Sequence, residues 1–281
     1  MPELPEVETV RRGLQRHLPG RRIVAVHCSG MRLRRPWPER MEERLVGRRF
    51  TAVRRRAKYL LLETDGAGLL CHLGMSGCLR ILPPGGGAPA HQHWRVDLDD
   101  GAALSFADPR RFGLVDLVVG KEGWRDHPLL CRLGPEPLER SFTGTWLQEV
   151  LRGRRRSIKA LLLDGRIVAG IGNIYANEAL FAAGIDPRRP GGALDAGECA
   201  RLAGAIRSVL TQAVAVGGST IRDFVGSDGQ PGYFAHRFRC YGREGGACPR
   251  CGGGRIVRIR QEGRSSFLCP LCQPPGRGAP A

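Results

Sequence analysis

Four cysteines near the C-terminal end constrain this chain more than any other feature. Cys248-x2-Cys251 and Cys269-x2-Cys272 are separated by seventeen residues, the spacing at which two Cys-x-x-Cys knuckles offer four thiolates to one tetrahedral Zn²⁺. A redox dithiol would be a single Cys-x-x-Cys beside a βαβ pattern. Disulfides would go with an export signal, whereas the first eight residues already carry Glu3, Glu6 and Glu8. Between the pairs, Ile256, Val257 and Ile259 alternate with Arg255, Arg258 and Arg260, and Arg264 stands in a Gly-containing turn before Ser265 to Leu268. The pattern predicts a hairpin with a basic face, held by one structural Zn²⁺. Cys28, Cys71, Cys78, Cys131, Cys199 and Cys240 read as small hydrophobes.

A hairpin of this kind is a minor part of 281 residues, a length that allows two domains and a small third. Hydrophobic residues make up 42% and charged residues 25%, enough to bury a sizeable core. Gly 40 and Pro 20 imply many turns without reaching the ~25–30% of low-complexity chains. Lys+Arg 44 against Asp+Glu 27 gives +17, and one four-thiolate zinc site would leave about +15. The expected partner is a polyanion. Nucleic acid fits better than a membrane surface because the basic residues are spread over many segments; a basic, solvated surface with no such partner is the alternative. No run approaches the ~18 apolar residues of a membrane span, so the expectation is a cytoplasmic protein.

After Pro2-Glu3, the residues Leu4, Val7, Val10, Leu14 and Leu18 recur at helical steps, with Pro5 and three glutamates at the positive end. From about Ile23 to Val119 the pattern becomes strand-like. Thr51–Glu63 and Leu69–Leu82 flank Asp65-Gly66, and Trp94, Val96 and Leu98 alternate before Asp99-Asp100-Gly101. Such spacing predicts an antiparallel β sandwich. Beyond about Pro135 the signal is helical: Ser157 as a cap, Gly172-Asn173 opening a helix that stops at Gly184, and the capping box Asp195-x-x-Glu198 before a long helix toward Val216. Ser227 to Tyr233 reads as a linker.

Several residues could carry chemistry, each with a plainer reading beside it. Excision of Met1 would make Pro2 a secondary amine with a pKa near ~8, able to attack a carbonyl-like carbon, with Glu3 moving the proton; otherwise Pro2-Glu3 is a helix lead-in. Gly172-Asn173 could hold a phosphate on free helix N–H groups, or simply cap the helix. Lys58, on a strand beside Arg54, Arg55 and Arg56, could be a solvated charge. Met75 in Gly74–Gly77, and Arg110 with Phe112 in Asp108–Gly113, could probe a base stack or merely pack. His91 and His93 with Asp97 or Asp99 could gather a cation for metal-assisted nuclease chemistry.

Taken together, MPELPEVETVRRGL, RRRAKYLLLE, HLGMSG, DPRRFG, GIGNIYANEALF, SDGQPGYF and the cysteine ribbon resemble bacterial formamidopyrimidine-DNA glycosylases over nearly the whole chain. The resemblance implies an α+β multidomain protein. An N-terminal helix plus antiparallel β sandwich would span 2–134, a helix-two-turns-helix domain 135–226, a linker 227–239, a C-terminal four-cysteine zinc-finger hairpin 240–273 and a tail 274–281. It implies a monomeric base-excision-repair enzyme acting on damaged double-stranded DNA, cytoplasmic and nucleoid-associated, that removes oxidised purines and then cuts the strand by β,δ-elimination.

By motif, the resemblance makes Pro2 the nucleophile, Glu3 the general acid/base, and Lys58 and Arg264 supporting cations of the catalytic set. It implies DNA contacts from His93, Arg110, Lys159 and Asn173, and a void-filling wedge of Met75, Arg110 and Phe112. A lesion pocket would be lined by Glu178, Ser219 and Thr220, and Zn²⁺ held by Cys248, Cys251, Cys269 and Cys272. Residues 274–281 and the loop around Gly85 to Ala90 match nothing in the family pattern. Two rivals stay open: an endonuclease VIII-like enzyme for oxidised pyrimidines, against which Leu4 and the intact Asp108–Gly113 motif argue, and a non-catalytic zinc-finger lesion binder.

Overall fold

The computed structural model of the protein describes residues 1–119, 123–218 and 238–276. These fall into two compact units. One holds the described residues up to 132 together with 216–218; the other holds 133–215 together with 238–276.

The first unit opens with α1 (Leu4–His17). Glu3 is its N-cap in a capping box with Glu6, Pro5 lies in its first turn, and Leu4, Val7, Val10, Leu14 and Leu18 are all buried. Eight strands follow: β1 (Ile23–Cys28), β2 (Phe50–Arg56), β3 (Tyr59–Thr64), β4 (Ala67–His72), β5 (Cys78–Leu82), β6 (Gln92–Leu98), β7 (Ala103–Ala107) and β8 (Leu114–Val119). A short α2 (Met41–Leu45) sits between β1 and β2, and α3 (Gly123–Asp126) follows β8. The strands form two antiparallel sheets, β1-β6-β7-β5 and β2-β3-β4-β8. Their apolar residues and those of α1 share one core, with Trp94, Phe106 and Leu79 from one sheet and Phe50, Leu62 and Leu69 from the other. This is the predicted sandwich.

Two of its details differ from the sequence reading. The run Thr51–Glu63 is not one strand but the β2–β3 hairpin, in which Arg56 pairs with Tyr59 across a two-residue turn of Ala57 and Lys58. Lys58 is therefore at a turn tip rather than on a strand face. The run Leu69–Leu82 likewise breaks after His72, so that Leu73–Gly77 is a loop joining β4 to β5. The first break carries neither glycine nor asparagine to mark it, whereas Gly74 and Gly77 stand in the second.

In the second unit, α4 (Gly144–Leu151) is capped by Thr143 and α5 (Ile158–Leu162) by Ser157. The next helix, α6 (Asn173–Ala183), ends at Gly184 with φ +70°, where glycine carries no Cβ penalty. A long α7 (Ala196–Ala215) is opened by a reciprocal pair, Glu198 N–H to Asp195 Oδ1 at 2.7 Å and Asp195 N–H to Glu198 Oε2 at 3.0 Å. The cysteine-rich end forms the hairpin β9 (Val257–Gln261) and β10 (Arg264–Leu268). Asn177 fastens this hairpin to α6 by accepting the Phe267 N–H at 2.7 Å, and Gln273 donates to the Ile185 carbonyl at 2.8 Å.

Candidate active site

In the first unit the chain start brings buried polar side chains together. Pro2 is buried behind the partly exposed Met1, Glu3 is 2% exposed and Glu6 is fully buried. The Glu3 N–H donates to Glu6 Oε2 at 2.8 Å, which fixes the direction of the peptide leading back to Pro2. Burial pushes the pKa of the Met1 amine below the ordinary α-amino range; Glu3 and Glu6 oppose that shift, while Lys58 and Arg110 add to it. Three of the expected residues, Glu3, Lys58 and Arg110, thus act on one amine, that of Met1, next to Pro2 in the chain.

Lys58 reaches that neighbourhood through a built hairpin. Ala57 takes φ 52°, a conformation that costs a non-glycine residue roughly 1–2 kcal/mol. Arg55 Nη1 donates to the Ala57 carbonyl at 2.9 Å, and Arg55 Nε to Glu8 Oε2 at 3.1 Å. Burial would raise the Glu8 pKa, but Arg11 and Arg55 hold it below the usual carboxylate range. Glu8 lies on α1, so one ionised carboxylate ties the turn bearing Lys58 to the helix that begins just after Glu3.

The Leu73–Gly77 loop and the Asp108–Gly113 loop present Met75, Arg110 and Phe112 on the surface. Met75 is 38% and Phe112 45% exposed, and the Arg110 guanidinium lies 5.0 Å from the Phe112 ring centre. Both loops thus carry large, exposed side chains at their tips. Beneath them His72 accepts the Gly74 N–H on Nδ1 at 2.9 Å. Burial, with Arg34 and Lys58 nearby, pushes its pKa down to about 3, so the ring stays neutral.

His93, expected to touch DNA, is 3% exposed and has both ring nitrogens engaged: Nε2 lies 3.1 Å from the Asp108 carbonyl and Nδ1 3.2 Å from the Ser29 hydroxyl. A carbonyl can only accept, so Nε2 carries the proton and Nδ1 accepts. This is a strut under the Asp108–Gly113 loop rather than a surface contact. Nor do His91, His93, Asp97 and Asp99 form a cation site. Among the described residues, the four cysteines are the one group of three or more His, Cys, Asp or Glu able to share a metal.

In the second unit two expected residues meet at one backbone carbonyl, and a third is its neighbour in the chain. Ser265 O accepts from Lys159 Nζ at 2.7 Å and from Asn173 Nδ2 at 3.1 Å, immediately beside Arg264. Arg264 is exposed at the start of β10, past the turn of Glu262 (φ 47°) and Gly263 (φ 76°). Lys159 is only 1% exposed and also donates to Ser266 Oγ at 2.7 Å. In place of the expected surface phosphate contact it is an internal brace for the hairpin. Asn173 is the first residue of α6, with Gly172 as the cap; its Oδ1 is buried with no hydrogen-bond partner among the described residues.

Glu178 corrects the lesion-pocket expectation. It is 3% exposed, and its carboxylate accepts the N–H groups of Arg239 at 3.0 Å, Cys240 at 3.0 Å and Tyr241 at 2.8 Å. It is an anchor for the chain entering the cysteine-rich module. Ser219 and Thr220 lie outside the described residues, as do the linker up to residue 237 and the tail from 277.

The four cysteine sulfurs lie within 4.8 Å of one another. Cys248 and Cys272 are 3.8 Å apart, Cys251 and Cys269 3.9 Å. A Cβ at Gly254 would sit 2.7 Å from Cys269 Sγ and 3.3 Å from Cys251 Sγ, so the cradle admits glycine alone. Burial raises the Cys248 thiol, yet N–H groups of Cys251 and Arg250 outweigh it and hold the pKa to about 7. Four convergent sulfurs with no open position fit a structural Zn²⁺. Buried Cys71, by contrast, is pushed up to about 12 and stands apart from this group.

Sequence reasoning missed Glu6, the Glu8–Arg55 tie, Ser76 and Asp108. The last two stand inside quoted motifs, but a contact between residues 32 apart leaves no periodic signal.

Three family models match the sequence: the formamidopyrimidine-DNA glycosylase N-terminal domain at residues 1–115, the formamidopyrimidine-DNA glycosylase H2TH domain at 133–225, and a zinc finger found in FPG and IleRS at 245–275. Formamidopyrimidine-DNA glycosylase from Paracoccus denitrificans (strain Pd 1222) is 52% identical, covering 97% of this chain and all of that one. The crystal structure of the MutM (Fpg) protein from Thermus thermophilus superposes with a TM-score of 0.86 at 42% identity, over 98% of this chain and 100% of the other. Wild-type Lactococcus lactis Fpg, in complex with DNA containing N7-benzyl-Fapy-dG, gives a TM-score of 0.89 at 34% identity over 97% of this chain and 100% of that one.

Proposed function

The chain belongs to the formamidopyrimidine-DNA glycosylase family, and from that membership we propose that it excises oxidised purines, 8-oxoguanine and formamidopyrimidines, from duplex DNA and then cuts the strand. One observation carries the reading. Pro2 is buried at the start of the chain beside the buried carboxylates of Glu3 and Glu6, and the amine of Met1, whose removal would expose the Pro2 nitrogen, feels Glu3, Lys58 and Arg110.

Removal of Met1 leaves Pro2 with a secondary amine. Its lone pair attacks C1′ of the damaged nucleotide, the glycosidic bond breaks, and the base departs with its bonding electrons and a proton. Glu3 protonates the ring oxygen as the sugar opens, leaving an iminium between Pro2 and C1′. The iminium acidifies the C2′–H. Loss of that proton expels the 3′ phosphate by β-elimination, and a second elimination expels the 5′ phosphate. Lys58 and Arg264 neutralise phosphate charge near the reaction. Met75, Arg110 and Phe112 fill the gap left by the extruded nucleotide, offsetting a few kcal/mol of unstacking, with Arg110 facing the orphan cytosine. Asn173, at the start of α6, contacts backbone phosphate. Zn²⁺ holds the hairpin that carries Arg264. The protein acts as a monomer in the bacterial cytoplasm.

Borohydride added during reaction with an 8-oxoguanine duplex should trap a covalent protein–DNA adduct, and Pro2→Gly should slow turnover while lesion binding persists. Absence of adduct from Met1-processed protein would leave a non-catalytic lesion binder. A strong preference for thymine glycol over 8-oxoguanine would move the chain to the pyrimidine-directed branch.

A further inference from the structure

The wedge side chains sit on two loops far apart in sequence, and one buried carboxylate joins them. Asp108 is 0% exposed. Its Oδ1 accepts the Ser76 hydroxyl at 2.7 Å, from the Met75 loop, and the Arg110 N–H at 3.2 Å, from its own loop. Oδ2 accepts the Gly113 N–H at 2.7 Å, closing the turn that carries Phe112. Backbone packing repeats the connection. A Cβ on Gly74 (φ +65°) would lie 2.5 Å from the carbonyl carbon of Phe112. Cβ atoms on Gly77 and Gly113 would lie 2.9 Å and 2.5 Å from the Phe106 ring, so one ring is held between the two loops.

We infer that Asp108, through Ser76, is a positioning residue that makes the Met75 loop and the Arg110–Phe112 loop one rigid wedge, so that opposite-base selection by Arg110 depends on a contact made by the other loop. The inference rests on the proposed role of Arg110. A side chain that reads a base edge must be held to within a fraction of an ångström. Arg110 is exposed, and its backbone is fixed by Asp108. The Ser76 hydroxyl donates to the same oxygen, so its removal loosens a carboxylate that has no solvent to replace the bond.

The test is Ser76→Ala, with Asp108→Asn as the companion. The readout is the excision rate of 8-oxoguanine opposite cytosine divided by that opposite adenine, together with the thermal midpoint. Removing one hydrogen bond to a buried carboxylate should lower the ratio by about tenfold. Ser76→Thr, which keeps the hydroxyl, should restore it. Asp108→Asn, which turns one oxygen into an amide facing an N–H donor, should lower the ratio at least as far. Folded Ser76→Ala protein with an unchanged ratio overturns the inference while leaving excision itself intact. A fall in thermal midpoint and overall rate at constant ratio also overturns it, because the hydroxyl would then be merely structural. Wild-type protein that neither excises nor forms an adduct would refute the proposed function instead.

Discussion

A histidine at the base of the Met75 loop shows how burial fixes protonation. His72 is 8% exposed, and its Nδ1 must remain unprotonated to accept the Gly74 N–H. Its pKa of about 3 lies below the unfolded value of 6.5, so the native state binds the proton more weakly. The stability this represents is fully present above pH 6.5 and is lost as pH falls toward 3. Between about pH 6.5 and about pH 5 the loss should be about 2 kcal/mol. Urea denaturation at about pH 7 and about pH 5 checks it. His72→Asn, whose side-chain oxygen can accept the same N–H without titrating, should lose correspondingly less on acidification. Equal losses in the two proteins would show that the ring charges freely. Neither this nor the Asp108 hub could be read from sequence. His72 and Asp108 lie in motifs that mix exposed and buried members, and only the fold shows which groups they bond.

Elements were legible where a terminator spoke for itself. The capping box Asp195-x-x-Glu198, the Ser157 cap and the Gly184 stop all stand where the residues put them. The β2–β3 turn was not legible, because Ala57-Lys58 has neither the glycine nor the asparagine that advertises a tight turn, and the strain at Ala57 is held by Arg55. Glu178 was placed by likeness in the lesion pocket, whereas its three N–H bonds make α6 the anchor of the cysteine-rich module. Glu178→Gln keeps the size but leaves an amide facing backbone donors. Hydrogen exchange at the N–H groups of Arg239, Cys240 and Tyr241 should accelerate at least about tenfold, the equivalent of about 1.4 kcal/mol per decade. Unchanged exchange with a selective loss of 8-oxoguanine excision would return the residue to the pocket.

Across the molecule the described residues form two compact units, one bearing the chain start and the loops of Met75 and Arg110–Phe112, the other Asn173, Lys159 and Arg264. Their stabilities have different sources. The first unit closes a sandwich core of large apolar side chains such as Trp94, Phe106 and Phe50, whereas the hairpin packs few apolar residues, chiefly Phe267 and Ile256, against Phe181. A hairpin that small needs its metal. Chelation strong enough to remove Zn²⁺ should therefore release β9 and β10 without unfolding the sandwich. Far-UV and tryptophan signals from the buried Trp94 should change little, while Ser265 would leave Lys159 and Asn173 and the Arg264 position would be lost. Lesion-duplex affinity should fall at least about tenfold, and the slope of log affinity against log salt should become shallower by about one phosphate contact's worth. Readdition of Zn²⁺ should restore both. If chelated protein, verified free of zinc, kept its affinity and its salt slope, the hairpin would be dispensable for DNA binding and Arg264 would have no part in the reaction.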